Sequence, residues 1–243
     1  MINLVVKDLK KNFGGLHVLK GVSFEINGPE LIGLIGPNGA GKTTLTNVLD
    51  GAIKPNSGTV YLGGNRIDQL QPFEVARHGL GRTFQVTRSF RRMTVLENLM
   101  VPALALDQGL SRSEIDEKAM EVLEFLTVDH LRNEYAKSLS GGQQKLLELG
   151  RLLMLNPDVI ILDEPFAGVH PKLMEIIYKY IERVNNDGTA IILISHQMDS
   201  IFSLCKRLLV LNYGDLIADG TPDVVKNDPT VIEAYLGSDD EED

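Results

Sequence analysis

One eight-residue segment most constrains what this chain of 243 residues can fold into: Gly36-Pro37-Asn38-Gly39-Ala40-Gly41-Lys42-Thr43. Its pattern is G-x-x-x-x-G-K-[ST], in which glycines let the backbone curl so that successive N–H groups cradle a phosphate at a helix N-terminus. The lysine reaches the outer phosphates, and the threonine hydroxyl ligates Mg²⁺. An apolar run at 31–35 enters the segment and a helical run at 44–49 leaves it. The sequence therefore predicts a nucleotide-binding loop between a strand and a helix.

A second segment, at residues 139–143, narrows the class of nucleotide-binding protein. It reads Leu139-Ser140-Gly141-Gly142-Gln143, and leucines at 146, 149 and 153 give the residues after it one apolar helical face. Ser140 is a good N-cap residue, and a helix N-terminus with two glycines is a ready anion site. The alternative is an ordinary loop before a helix. Because a phosphate-binding loop is also present, the anion site is the favoured interpretation.

This second segment resembles the signature of ABC-type ATPases, and the resemblance extends over nearly the whole chain. It implies that the chain hydrolyses ATP with Mg²⁺, and that Thr44 belongs to the nucleotide-binding loop. It also implies a second cassette subunit, the same or related. In this family the signature residues, here Ser140, Gly141, Gly142 and Gln143, contact the nucleotide held by the partner subunit.

Composition is that of a globular chain, with 43% hydrophobic and 23% charged residues. The length suffices for one α/β unit with a subdomain or for two small domains. No apolar run approaches the roughly 20 residues that cross a bilayer, and residues 1–7 are not a signal peptide, so we expect a soluble intracellular protein. The single cysteine, Cys205, excludes an internal disulfide and is expected to be buried.

The formal net charge of −9 includes an acidic run at residues 239–243, which we expect to be a solvated, disordered tail. An acidic chain argues against a nucleic-acid partner, because phosphate backbones require basic patches.

Alternating strand and helix patterns predict an α/β fold: a P-loop NTPase core with a mostly parallel sheet, a small N-terminal antiparallel β layer and an inserted α-helical subdomain. Short strand patterns at 4–6, 22–26 and 59–62 supply the antiparallel layer, and continuous apolar runs at 159–162 and 190–194 read as buried parallel strands. We expect one ABC ATPase domain over residues 1–243. Within it, 1–85 and 157–220 form the nucleotide-binding core, 86–156 the helical subdomain, and 221–243 the C-terminal helices and acidic tail.

Asp163 and Glu164 follow the apolar run at 159–162, so both carboxylates emerge at the edge of the sheet where parallel folds bind ligands. The alternative is an exposed turn with two acids. The pair resembles a Walker B element, which implies that Asp163 holds Mg²⁺ and that Glu164 is the general base for the attacking water. Ser195 and His196 follow the apolar run at 190–194 in the same way. His196 resembles the family's switch histidine, which contacts the γ-phosphate; this resemblance implies the same contact here.

Two further residues are identified through the resemblance. Gln85 is similar to the Q-loop glutamine, whose amide approaches Mg²⁺ and the attacking water; the alternative is a plain polar loop residue. Phe13 matches the aromatic residue on which adenine stacks, with Val18 supporting the same face, or else it belongs to the core.

His170 departs from the family pattern. The segment after Glu164-Pro165 resembles the D-loop, which normally ends in Asp, but here His170 occupies that position. The usual contact to the partner subunit therefore cannot be assumed. Either the imidazole faces the partner and makes dimer closure depend on pH, or it is exposed and silent.

Residues 86–99 are expected to form the dock for a membrane permease, because they follow Gln85 directly. They combine apolar and basic side chains, namely Phe90, Met93, Leu96, Arg88, Arg91 and Arg92.

Within the superfamily, the string Gly81-Arg82-Thr83-Phe84-Gln85 and the C-terminal segments 219–222 and 234–237 resemble cassettes that serve branched-chain amino acid uptake. This implies an importer ATPase on the cytoplasmic face of the cell membrane, with permease subunits and an extracytoplasmic substrate-binding protein as partners. The helical insertion is shorter than usual for that group. A urea or amide importer remains an alternative, as does a soluble ABC ATPase such as a cofactor-assembly ATPase.

Overall fold

The computed structural model describes residues 3–83, 89–106 and 109–236.

The described part of the chain begins with a long antiparallel hairpin. Strands β1 (Asn3–Phe13) and β2 (Leu16–Asn27) pair antiparallel across a turn in which Gly14 has a φ of 57°. Two further strands, β4 (Ser57–Leu62) and β5 (Asn65–Arg66), complete this layer. The strand order in its sheet is β2-β1-β4-β5. This is the expected N-terminal antiparallel layer.

A mostly parallel sheet lies at the centre of the molecule. Its strands are β3 (Leu31–Ile35), β6 (Leu80–Arg82), β7 (Val159–Asp163), β8 (Ala190–Ile194), β9 (Arg207–Asn212) and β10 (Asp215–Gly220). The order is β10-β9-β3-β8-β7-β6, and only β10 pairs antiparallel within the described residues. Every residue of β3 and β8 is buried, as the continuous apolar runs predicted.

The helices connect and cover these strands. Their bounds are α1 (Lys42–Leu49), α2 (Pro72–Arg77), α3 (Val95–Leu106), α4 (Arg112–Phe125), α5 (Gly141–Leu155), α6 (Pro171–Asn186), α7 (Met198–Leu204), α8 (Pro222–Lys226) and α9 (Pro229–Leu236). Short 3₁₀ turns lie at Asp129–Leu131 and Ala136–Ser138. Helices α3, α4 and α5 pack on one another, and a capping box between Ser111 and Glu114 begins α4.

Two hydrophobic cores lie on opposite faces of the central sheet, because neighbouring residues of a strand point to opposite sides. Ile160 and Ile191 belong to the core that includes α3 to α6, whereas Ile161 and Ile192 belong to the core beneath the antiparallel layer and α1. Cys205 is buried in the first of these. The expected α/β P-loop fold is thereby confirmed. None of the described helices combines the length and the apolar character that crossing a bilayer requires. The acidic run at 239–243 lies outside the described residues.

The parallel register places the site. Asp163 pairs with Ile194, and β3 lies on the other side of β8, so the carboxyl ends of β3, β7 and β8 meet at one edge. The segments that continue from them carry the phosphate loop, Glu164 and His196.

Candidate functional site

The phosphate loop connects β3 to α1, and glycines take the conformations that other residues avoid. Gly36 has a φ of 148°, and a Cβ there would lie 2.1 Å from the Leu211 carbonyl oxygen. Gly41, with a φ of 106°, is the N-cap residue of α1. The loop therefore needs glycine both for its curl and for its close approach to β9.

A cavity of about 370 Å³ opens over this loop. Most of the residues predicted to bind nucleotide or metal line it, together with Leu16 and Ile194: Val18, Asn38, Gly39, Ala40, Gly41, Lys42, Thr43, Thr44, Asp163, Glu164 and His196. Gly36, Pro37 and Phe13 are not among the residues that line the cavity, although the carbonyl oxygens of Gly36 and Pro37 accept from Lys42, which does. Gln85 lies outside the described residues.

Lys42 is folded back onto its own loop. Its ammonium donates to the carbonyl oxygens of Gly36 (2.6 Å) and Pro37 (2.9 Å). Burial lowers the pKa of Lys42, and the nearby carboxylates of Glu164 and Asp163 act in the opposite direction. The Lys42 ammonium thus lies near two carboxylates that line the same cavity, and a bound phosphate would compete with them for it.

Asp163, the last residue of β7, is held from two sides. Its N–H donates to the Thr83 hydroxyl (3.0 Å), and its carboxylate accepts from Arg82 (3.0 Å). The same guanidinium also donates to Asn47 and Asp50 at the end of α1, each at 2.7 Å. Arg82 is not among the site residues that the sequence predicted. Its partners are 32 to 81 residues away along the chain, so no local pattern points to them.

Glu164 combines a strained backbone with a buried carboxylate. Its φ is 49°, a left-handed value that is uncommon outside glycine. Its Oε1 lies 3.7 Å from His196 Nε2 and, within the described part of the chain, accepts no hydrogen bond. Burial raises the pKa of Glu164, and Asp163 adds to this; His196 and Lys145 act in the opposite direction. A carboxyl group of this kind suits proton transfer, because its pKa moves towards neutrality.

His196 itself is exposed, at 68% of its side chain, over the mouth of the cavity. The turn that carries it is fixed by Ser195, whose hydroxyl accepts from the N–H of Gln197 at 3.0 Å. The structure therefore brings the side chains of Glu164 and His196 to within 3.7 Å of each other.

The residues at 140–143 form the N-terminus of α5. Ser140 and Gln143 make a reciprocal capping box: the Ser140 hydroxyl accepts from the Gln143 N–H, and the Gln143 amide oxygen accepts from the Ser140 N–H. A Cβ on Gly142 would lie 2.3 Å from Leu173, so this glycine also lets α5 approach α6 closely. These four residues do not line the 370 Å³ cavity of their own chain.

Phe13 and His170 are both at the surface. Phe13 ends β1 with half of its surface exposed, which excludes it from the core, and the Lys11 ammonium lies 5.1 Å from its ring centroid. His170 is exposed and is the N-cap residue of α6, where its Nδ1 accepts from the Lys172 N–H at 3.3 Å.

The donor set of the cavity fits Mg²⁺. No group of three or more His, Cys, Asp or Glu side chains suited to a metal ion occurs among residues 3–83, 89–106 and 109–236. Mg²⁺ does not need one, because it binds through one or two protein oxygens together with waters and phosphates. The Thr43 hydroxyl and the Asp163 carboxylate, which both line the cavity, supply those oxygens.

A groove of about 350 Å³ lies between α3 and α5, lined by Arg82, Val101, Pro102, Ala105, Glu148, Arg151, Leu152 and Leu155. Phe90 stands near it with 45% of its surface exposed, and its ring lies 5.0 Å from the Arg151 guanidinium. Arg91 and Arg92 are exposed. Arg88 lies outside the described residues.

Comparison with known families gives two matches. Residues 19–167 match the model of the ABC transporter family, and residues 216–241 match the model described as branched-chain amino acid ATP-binding cassette transporter.

Several curated proteins are similar over nearly their whole length. The probable branched-chain amino acid transport ATP-binding protein LivG of Methanocaldococcus jannaschii is 38% identical, covering 96% of this chain and 97% of that protein. The high-affinity LivG protein of Salmonella typhimurium is 39% identical with the same coverage. The lipopolysaccharide export system ATP-binding protein LptB of Escherichia coli is 36% identical, covering 98% of this chain and 99% of that protein.

Solved structures agree. The ADP conformation of MJ1267, an ATP-binding cassette of an ABC transporter, superposes with a TM-score of 0.84 at 37% identity, covering 98% of this chain and 99% of that one. A dimeric post-hydrolysis state of the cassette MJ0796, bound to ADP and Pi, superposes with a TM-score of 0.81 at 26% identity, covering 90% and 98%.

Proposed function

The chain belongs to the ABC transporter family of ATP-binding cassettes, and we propose that it hydrolyses ATP to energise amino-acid import, with branched-chain amino acids as the cargo. One observation supports the catalytic part above all: a single cavity is lined by the phosphate loop, Asp163, Glu164 and His196. The cargo is supported by residues 216–241, which match the branched-chain cassette model, and by the LivG relatives. This favours amino acids over urea, amides or a soluble role.

The phosphate loop binds the nucleotide through backbone N–H groups and the N-terminus of α1, where the helix dipole favours an anion. Lys42 exchanges its two carbonyl partners for phosphate oxygens, which carry more negative charge. Thr43 and Asp163 hold Mg²⁺, which when bound neutralises charge on the phosphates. Phe13 and Val18 support the adenine, and Gln85 is assigned to the metal and the attacking water.

Glu164 orients the attacking water and accepts its proton. Its Oε1 has no competing hydrogen bond in the described part of the chain, so this oxygen is available to the water. His196 Nε2 lies 3.7 Å from this oxygen. Its proposed role is to contact the γ-phosphate. General-base catalysis by such a group is worth about 10²–10⁴-fold in rate.

Two cassettes act together in this proposal. The capped, exposed N-terminus of α5 contacts the nucleotide of the partner cassette through Ser140, Gly141, Gly142 and Gln143. A dimeric cassette is among the structural neighbours, and the partner here is the same or a related chain.

The remaining partners are proposed from the transport role. Permease subunits dock on residues 86–99, of which Phe90, Arg91 and Arg92 are exposed. The Phe90 ring contacts Arg151, which lines the groove between α3 and α5, so this groove continues the proposed dock. The permease subunits hold the cassette at the cytoplasmic face of the membrane, and an extracytoplasmic protein delivers the cargo. We also propose that the cassette is divided into a nucleotide-binding core (1–85 and 157–220), a helical subdomain (86–156) and C-terminal helices with an acidic tail (221–243).

The purified chain tests the catalytic assignment. We expect Lys42→Ala to abolish binding of MgATP. We expect Glu164→Gln to bind MgATP normally, to retain only a residual turnover, about 10²-fold or more below wild type, and to elute as a dimer with ATP. Glu175→Gln, an exposed carboxylate on α6, is the matched control and should behave as wild type. Wild-type turnover by Glu164→Gln would exclude Glu164 as the base.

Uptake of labelled leucine tests the transport assignment. The assay uses cells that lack their own branched-chain import and express the chain together with permease subunits and an extracytoplasmic binding protein of a branched-chain importer. We expect uptake that depends on Glu164. Uptake of labelled urea but not leucine would overturn the cargo and leave the ATPase assignment intact.

A further inference from the structure

Lys145 lies in the second turn of α5, and its ammonium rests on the backbone that follows β7. It donates to the carbonyl oxygens of Glu164 (3.0 Å), Ala167 and, at the limit of hydrogen bonding, Pro165 (3.5 Å). An ammonium has three donors. All three are therefore directed at one short turn, and that turn begins with the proposed catalytic base.

The contact is built into the fold rather than being a loose surface pair. The Lys145 side chain is half-buried, and burial lowers its pKa, while Glu164 and Glu148 act in the opposite direction. The hydrogen bonds of Lys145 are charge-assisted and end on backbone carbonyl oxygens. They therefore fix the path of the backbone at 164–167, whereas a side-chain ion pair would fix only two side chains.

That backbone needs support. Glu164 holds a left-handed φ of 49°, and a non-glycine residue keeps such a conformation only where its surroundings impose it. On the other side of the turn, the Phe166 ring stacks on Tyr178 of α6 with centroids 5.1 Å apart. Lys145 of α5 stabilises the same turn through its hydrogen bonds to the carbonyl oxygens of Glu164 and Ala167.

The helix that carries Lys145 also carries two contact regions. Its N-terminus presents Ser140 and Gly141, and its last turns present Arg151 and Leu155 to the groove beside α3. A shift of α5 is therefore passed directly to the Glu164 carbonyl through one side chain.

We propose that Lys145 is a positioning residue that ties residues 164–167 to α5, so that Glu164 is correctly placed only when α5 is in its nucleotide-contacting position. This inference rests on the proposed role of Glu164 as the base. It assigns to Lys145 an effect on turnover and none on nucleotide binding.

The first test separates turnover from binding. Lys145→Met keeps the apolar stem but removes the charge and all three donors. We expect its kcat for ATP to fall by about tenfold or more, which corresponds to about 1.4 kcal/mol in the barrier, with KM and the melting temperature close to wild type. Lys145→Arg restores a cation with several donors and should recover most of the loss. Lys118→Met, another half-buried lysine whose pKa is lowered by burial, is the matched control and should keep wild-type kcat.

The second test asks whether Lys145 acts through Glu164. If it does, Lys145→Met should not lower further the residual turnover of Glu164→Gln, because residues that act as a unit are not additive. Lys145→Gln, which retains a donor of smaller reach, provides the same comparison if Lys145→Met does not fold.

Four outcomes overturn the proposal. For Lys145→Met, these are a kcat within twofold of wild type or a rise in KM as large as the fall in kcat. The others are a kcat that Lys145→Arg does not restore, and a double variant with Glu164→Gln whose loss of turnover is the sum of the two single losses. Failure of the proposed function looks different, because Glu164→Gln alone would then retain wild-type turnover.

Discussion

Replacing Arg82 by methionine tests how the acidic end of β7 is held. Arg82 donates to Asp50 and Asn47 at 2.7 Å and to Asp163 at 3.0 Å. The side chains of Arg82, Asp50 and Asp163 are only 5%, 10% and 13% exposed. Methionine fills much of the same volume but leaves two largely buried carboxylates without their shared cation.

The expected loss follows from that burial. Removing one partner of a buried ion pair costs about 3–5 kcal/mol, because the remaining charge is left uncompensated. For a chain of this size each kcal/mol lowers the melting temperature by about 2–4 °C, so we expect a decrease of about 6–20 °C. Calorimetry on the nucleotide-free chain measures it.

An exposed arginine is the control. Arg183 pairs with Asp187 at 3.6 Å, and both side chains are more than half exposed. The Arg183 guanidinium also lies 4.4 Å from the Phe125 ring centroid. Losing both contacts of this exposed side chain in Arg183→Met should cost about 2 kcal/mol or less. Adding Asp50→Asn to Arg82→Met should recover part of the loss, since it neutralises one isolated carboxylate. An Arg82→Met chain that unfolds within about 1 kcal/mol of wild type would refute the reasoning.

Three further predictions use other parts of the fold. Burial raises the pKa of the Cys205 thiol to about 12, so the native protein at pH 8 should resist a thiol reagent that modifies it completely in denaturant; rapid native labelling would contradict this. Gly36→Ala places a Cβ 2.1 Å from the Leu211 carbonyl, whereas a Cβ on Gly28, which is also at positive φ, would have no atom within 4 Å. Chemical denaturation should therefore show a larger loss for Gly36→Ala than for Gly28→Ala, and equal losses would remove the steric argument. His170→Asp should raise the melting temperature by about 1–4 °C, because a carboxylate is a better N-cap than a long imidazole contact; a lower melting temperature would count against the cap.

The parts of the fold that the sequence predicted are those with a strong local pattern. The apolar runs at 159–162 and 190–194 are buried strands because each of their residues faces one of the two cores. The phosphate loop was identified because its glycines are required locally, as Gly36 and Gly41 show. The cavity gathers Asp163, Glu164 and His196 because parallel strands end at one edge.

The parts that were missed have short or non-local signals. Strand β6 has only three residues, too few for a periodic pattern, although it carries Arg82. Helix α7 (Met198–Leu204) has only seven residues, about two turns, which is also too short to give a clear periodic pattern. The roles of Arg82 and Lys145 arise from contacts that bridge 81 and 19 residues of sequence. An arginine or lysine in an otherwise ordinary context gives no local indication of such partners.

Asp163 and Glu164 are adjacent residues that are held by two different cations: Arg82 of β6 and Lys145 of α5. Arg82 links the Asp163 carboxylate to the end of α1, while Lys145 links the backbone after Glu164 to α5. Helix α1 follows the phosphate loop of this chain, and α5 begins with the residues assigned to the partner's nucleotide. Because adjacent residues cannot separate, a displacement of α5 relative to α1 must either strain this pair or break one of the two links. A mutation of either Arg82 or Lys145 should therefore weaken the mechanical link between the two nucleotide sites, because each removes one of the two contacts that hold Asp163 and Glu164. We expect Arg82→Met to lower mainly the melting temperature and Lys145→Met to lower mainly kcat.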